Sequence, residues 1–87
     1  MRVKLSYSGV ESWLEFPDGQ PLTVARVLQS VQGIEPGMFA RWCDEEGELR
    51  KSLAVFVNRE HIRYRQGLGT EIGDGDEVHV IPVISGG

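Results

Sequence analysis

The sequence predicts an α+β domain in which one amphipathic helix covers one face of a mixed sheet. Three observations carry that prediction. Apolar residues alternate with period two at the start of the chain, one helical set follows, and strand-like runs return in the second half. At 87 residues with a single cysteine, Cys43, the length suits one domain without an internal disulfide.

Val3, Leu5 and Tyr7 alternate with Arg2, Lys4 and Ser6, the signature of a half-buried strand. Gly9 and Val10 are expected to turn the chain. Ser12, Leu14 and Phe16 then alternate with Trp13 and Glu15 in a second strand, completing a hairpin that Pro17-Asp18-Gly19 ends. Thr23 is placed to cap a helix whose apolar face is Val24, Val27, Leu28 and Val31, and Gly33 is its stop. A short helical segment is expected after Pro36, through Met38, Phe39 and Trp42. Asp44-Glu45-Glu46-Gly47 reads as an acidic turn.

Leu53-Ala54-Val55-Phe56-Val57 is apolar at every position, so both faces of that strand are expected to meet apolar groups. Asn58-Arg59-Glu60 is a turn. Arg59, His61, Arg63 and Arg65 then recur every second residue opposite Ile62 and Tyr64, which would put a basic stripe on one face of an extended segment. A solvated strand face is the simpler meaning of such a stripe, a binding surface the sharper one. Gly73-Asp74-Gly75-Asp76 is a tight turn into a last strand, Glu77 to Val83. Alternation assigns Val3, Leu5, Leu14, Val55, Val57, Val78 and Val80 to the helix-covered face. It leaves Phe56, Ile81 and Val83, joined by Trp13, on the uncovered face as a partner-docking patch.

A net charge of −4 argues against a nucleic-acid partner, since phosphate binding needs a basic surface. Acidic clusters at Asp44-Glu45-Glu46 with Glu48, and at Glu71, Asp74, Asp76 and Glu77, read as turn charges that would also suit a basic partner. No apolar stretch is long enough to span a membrane, and Met1-Arg2-Val3-Lys4-Leu5 reads as strand rather than signal peptide. A soluble cytoplasmic protein is therefore expected, with Cys43 a filler thiol. The spacing of His61 and His79 offers no metal site, and no loop suits a nucleotide phosphate, so no bound cofactor is expected.

After the last strand come Ile84-Ser85-Gly86-Gly87. Two glycines without Cβ atoms make a thin thread able to enter a channel where side chains would clash. The expected division is a domain over 1–83 and a flexible tail over 84–87, with the chemistry at the Gly87 carboxylate. A frayed terminus or a cloning scar is the blander reading.

Together these residues resemble a known family. Val55-Phe56-Val57-Asn58, Ile62-Arg63-Tyr64, Gly67-Leu68-Gly69-Thr70, Asp74-Gly75-Asp76-Glu77-Val78, Ile81-Pro82 and Gly86-Gly87 are similar to the ThiS/MoaD family of ubiquitin-like sulfur carriers. The resemblance is specific over about the C-terminal third of the chain and is closest to the CysO-like branch. It implies a β-grasp fold and a carrier cycle rather than an enzyme. An activating enzyme of the ubiquitin E1 type, which consumes ATP, would adenylate Gly87, and sulfur transfer would leave a thiocarboxylate there. The CysO-like branch implies delivery to an activated serine held by a pyridoxal-phosphate-dependent sulfhydrylase, with a peptidase later acting at Gly87. Two alternatives share the pattern: the small subunit of molybdopterin synthase, paired with its large subunit, and a ubiquitin-like modifier joined to target lysines.

Overall fold

The computed structural model describes residues 1–83; the expected tail, Ile84, Ser85, Gly86 and Gly87, lies outside the described residues. β1 (Arg2–Tyr7) and β2 (Val10–Glu15) form the antiparallel hairpin, with Tyr7 opposite Val10. The turn is Ser8-Gly9, one residue earlier than the sequence suggested, with φ of 47° and 77°. Two consecutive left-handed residues match the twist of the flanking strands. A β-branched valine adopts that conformation only at high cost, so Val10 goes into the strand and Ser8 takes the turn. The pairing runs on past β2, where Phe16 N–H donates to the Met1 carbonyl at 2.8 Å.

Thr23 caps α1 (Val24–Gln29), its hydroxyl accepting from Arg26 N–H at 3.3 Å. A 3-10 turn over Ser30–Gly33 continues the helical run to the glycine expected to end it. Val24, Val27, Leu28 and Val31 are all fully buried. α2 (Met38–Trp42) is the expected short helix. The acidic turn follows, held by Asp44, whose Oδ1 accepts from Glu46 and Glu48 N–H at 2.9 and 3.0 Å.

β3 (Leu53–Val57), β4 (Glu60–His61) and β5 (Glu77–Pro82) complete a five-stranded sheet in the order β2-β1-β5-β3-β4. β1 and β5 run parallel at its centre, and the other pairings are antiparallel. α1 packs on the face carrying Val3, Leu5, Val55, Val57, Val78 and Val80, as the alternation assigned them, and Leu14 packs at the edge of that core. Tyr7 also belongs to it, set edge-on to Trp42 at 5.1 Å. Its buried hydroxyl has no hydrogen-bond partner among the described residues, and burial beside Glu35 pushes the phenol pKa up.

The segment after His61 departs from the extended reading. Ile62–Tyr64 is a 3-10 turn, capped by His61 Nδ1, which accepts from Arg63 N–H at 3.0 Å. With three residues per turn, positions two apart no longer share a face. Ile62 is accordingly buried while Tyr64 is 73 % exposed. A second 3-10 turn, Gly67–Gly69, leads to Thr70, which is buried and donates from its hydroxyl to the Gly67 carbonyl at 2.7 Å. Thr70 and Ile72 then lace this connection to the start of α1: Val24 N–H donates to the Thr70 carbonyl, and Ile72 N–H to that of Leu22.

Candidate functional site

The uncovered face of the sheet divides into two chemically distinct halves. On β1 and β2, charges pair across the strands: Arg2 with Glu15 at 3.7 Å and Lys4 with Glu11 at 3.2 Å. Trp13 belongs to this half, 51 % exposed, with the Arg2 guanidinium 4.7 Å over its ring. It stands opposite Lys4, whose other neighbour is Glu77 on β5. Trp13 therefore does not join the apolar patch as expected, because two strands and a charged row separate it from β3.

The apolar half lies on β5, β3 and β4. Phe56 stands opposite His79 on one side and His61 on the other, and Ala54 stands opposite Ile81 in the next row. Phe56 is partly buried with its ring edge-on to His61 at 5.0 Å, while Ile81 is 46 % exposed. Val83, just past the strand, is 48 % exposed, and its N–H donates to the Ser52 carbonyl at 2.8 Å. Phe56 and Ile81 thus share a face as alternation predicts, and Val83 marks where the chain leaves the sheet.

At the sheet edge this patch opens into a groove lined by Phe56, Arg59, Glu60, His61, Tyr64 and Arg65. Arg59, His61 and Arg65 line it from the β3–β4 turn and the ends of the 3-10 turn, rather than as a stripe on a strand. Arg65 pairs with Glu60 at 3.2 Å, and the Arg63 guanidinium lies 5.5 Å over the Tyr64 ring. Desolvation, with the charge of Arg63 beside it, lowers the His61 pKa, which favours the neutral ring whose Nδ1 caps the turn.

Residues that read as possible docking charges turn out to organise loops. Asn58, at φ 58°, ties β3 to β5: its N–H donates to the Glu77 carbonyl at 2.7 Å, and its Oδ1 accepts from Glu77 N–H at 3.1 Å. Asp76 accepts from Gly73 N–H at 2.8 Å, and Asp74 from Arg2 N–H at 2.7 Å. These bonds hold the 73–76 turn against the start of β1 and fix where β5 begins. Among the described residues no three His, Cys, Asp or Glu side chains cluster as metal ligands would, and no helix is long and apolar enough to cross a membrane.

Cys43 is buried, and desolvation beside Asp44 raises its thiol pKa. A buried, protonated thiol is a poor nucleophile. Native protein should accordingly react slowly with a thiol reagent such as Ellman's, and denatured protein at the rate of an ordinary cysteine. Rapid labelling of the folded chain would overturn this reading of Cys43.

The ThiS family model matches residues 9–87. A candidate sulfur carrier protein of Archaeoglobus fulgidus is 33 % identical over 87 residues, covering 100 % of this chain and 98 % of the relative. Among solved structures, a chain of the Amycolatopsis orientalis BexX/CysO complex is 30 % identical with a TM-score of 0.75, covering 98 % of this chain and 99 % of that one. SAMP1 of Haloferax volcanii superimposes with a TM-score of 0.79 over 100 % of both chains at 22 % identity, a likeness of fold. The sheet order, the helix on one face and these relationships over nearly the whole length agree: the fold is a ubiquitin-like β-grasp, and the chain belongs to the ThiS family of sulfur carrier proteins.

Proposed function

We propose that the chain carries sulfur as a thiocarboxylate on Gly87 and delivers it in cysteine biosynthesis. The observation that carries this reading is the relationship to a candidate sulfur carrier over the entire chain, with Gly86-Gly87 following a β-grasp domain. Support for the CysO-like branch comes from the 30 % identity to a chain of the BexX/CysO complex.

The chemistry follows from the groups involved. A carboxylate is a poor electrophile, so its oxygen first attacks the α-phosphorus of ATP on the activating enzyme, and pyrophosphate leaves. The mixed anhydride then has AMP as its leaving group, and a sulfide equivalent supplied by the partner displaces it. The resulting thiocarboxylate is ionised at neutral pH and attacks soft electrophiles well, much as a thiolate does. An activated serine held by a pyridoxal-phosphate-dependent sulfhydrylase presents such an electrophile at its β-carbon. The serine leaving group departs first and sulfur then adds at that carbon, so one C–O bond is exchanged for one C–S bond. Migration of the acyl group from sulfur to the amine would leave cysteine joined to Gly87 by an amide, which a peptidase can cleave. In this cycle the chain's own contributions are the tail carboxylate and a surface that presents it. Nucleotide, pyridoxal phosphate and proton transfers belong to the partners.

The test follows intact mass. Protein purified from its own host should include a species with sulfur in place of one C-terminal oxygen. Incubated with a reconstituted sulfhydrylase and activated serine, that species should gain one cysteine residue. Return to the plain carboxylate only with a molybdopterin synthase large subunit and its pterin precursor would overturn the cysteine assignment. Gly87 isopeptides on other proteins, without the thiocarboxylate, would overturn the carrier reading itself.

A further inference from the structure

The groove at the β4 edge is a basic site on an acidic molecule. The chain has a net charge of −4, yet Arg59 and Arg65 line this groove and Arg63 stands beside it in the 3-10 turn, against the Tyr64 ring. All three are exposed, and Arg59 and Arg63 have no ion-pair partner among the described residues. Two of their neighbours explain why they stay there. Arg63 lies over the Tyr64 ring at 5.5 Å, and Arg65 is held by Glu60 at 3.2 Å. The groove has an aromatic wall, with Phe56 and His61 centred 5.0 Å apart and His61 and Tyr64 6.3 Å apart. The wall is continuous with the apolar patch of Phe56 and Ile81 on the open sheet face. β4 ends the sheet, so the groove is reached from the side.

We propose that this groove docks an acidic, extended segment of a partner protein, with carboxylates on Arg59 in the groove and on Arg63 at its rim beside Tyr64, and an apolar side chain against Phe56, His61 and Tyr64. Charge complementarity selects this occupant. A phosphate polymer would meet the same arginines but would also lie against a molecule of net negative charge. A short acidic peptide meets mainly the local field, which salt screens beyond about 10 Å. The proposal rests on the carrier reading only in supplying the chemistry of the partner's docking segment. It makes Arg59 and Arg63 determinants of partner recognition.

The direct test titrates the isotope-labelled full chain with a short synthetic peptide alternating glutamate and leucine, followed by amide shifts. Shifts should concentrate at Phe56, Arg59, His61 and Tyr64, weaken as salt is raised, and vanish in Arg59→Glu/Arg63→Glu. Arg59→Lys/Arg63→Lys should retain part of the binding, and circular dichroism should show all variants folded. Equal binding of a lysine–leucine peptide, tighter binding of a uridine oligonucleotide, or no localised shifts would each overturn the proposal. With the host's own activating enzyme, the charge-reversed variant should raise KM for the carrier at least about tenfold with kcat preserved, the pattern of a lost docking contact. An unchanged KM would overturn the proposal for that partner's docking. If the unaltered chain is not adenylated at all, the carrier reading fails instead, and the peptide titration still decides the groove.

Discussion

Deleting Gly87 should reduce ATP–pyrophosphate exchange by the activating enzyme by at least about 100-fold, because a misplacement of only about 1 Å can cost that much. The deletion moves the terminal carboxylate back along the thread by one residue, about 3.5 Å. Binding energy from a docked domain would not restore that reach. Appending one residue should be as damaging, because Gly87 then carries an amide carbonyl and the free carboxylate lies one residue further along. Gly86→Val tests the channel rather than the reach, placing a β-branched side chain where only a thin backbone is expected to pass. All three variants should fold normally, since the core of the described residues runs from Val3 to Val80. Exchange at the normal rate by the Gly87 deletion would remove the basis for placing the chemistry at this residue.

The parts of the fold that the sequence revealed are those where one physical signal acts alone. Val3, Leu5 and Tyr7 alternate because one face of β1 is covered and the other is not, and the covered face is where they lie. Thr23 followed by Val24, Val27 and Leu28 reads as a capped helix because capping and periodicity agree. The basic stripe misled because alternation was the only signal used. His61, Arg63 and Arg65 do alternate with Ile62 and Tyr64, but the chain over Ile62–Tyr64 follows a 3-10 turn. His61 is the residue that betrays it: its Nδ1 takes a backbone N–H two residues on, as turn-forming side chains do. Thr70 was likewise missed as a structural residue, since a buried hydroxyl that bonds its own loop leaves no periodic trace.

The site was legible by halves. Strand alternation put Phe56 and Ile81 on one face, and the pairing of Ala54 with Ile81 and Phe56 with His79 shows that they are neighbours. Strand order, which no single strand encodes, decided against Trp13. With β1 and β5 at the centre, β2 is carried to the far edge, and its tryptophan sits among paired charges. The family relationship also reaches further than the residues that suggest it. Recognisable motifs fill about the last third of the chain, whereas the family model matches from residue 9. A hairpin or a helix asks mainly for its apolar period, which many residues satisfy, while the Asn58 and Asp74–Asp76 turns depend on specific side-chain bonds.

Phe56→Asp should weaken binding to the activating enzyme or the sulfur acceptor by about 2 kcal/mol or more, the usual loss for an aromatic hot spot. That corresponds to roughly a 30-fold rise in Kd. The argument begins with position. Phe56 lies at the centre of the apolar half of the open face, between His61 and His79 and beside Ala54 and Ile81. A carboxylate there would be buried without a partner when a second protein covers the face, which costs more than losing the ring's contacts alone. Phe56 is only partly buried in the isolated chain, so the aspartate keeps its water and the domain should remain folded by circular dichroism. Ile81→Asp, at a position 46 % exposed, provides a second probe with less bearing on the core, and it should act in the same direction. Trp13→Asp should change binding little, since Trp13 stands apart among the charge pairs of β1 and β2. A loss of affinity with Trp13→Asp matching that of Phe56→Asp would show that partners cover the whole sheet face. Unaltered binding by both Phe56→Asp and Ile81→Asp would show that they dock elsewhere.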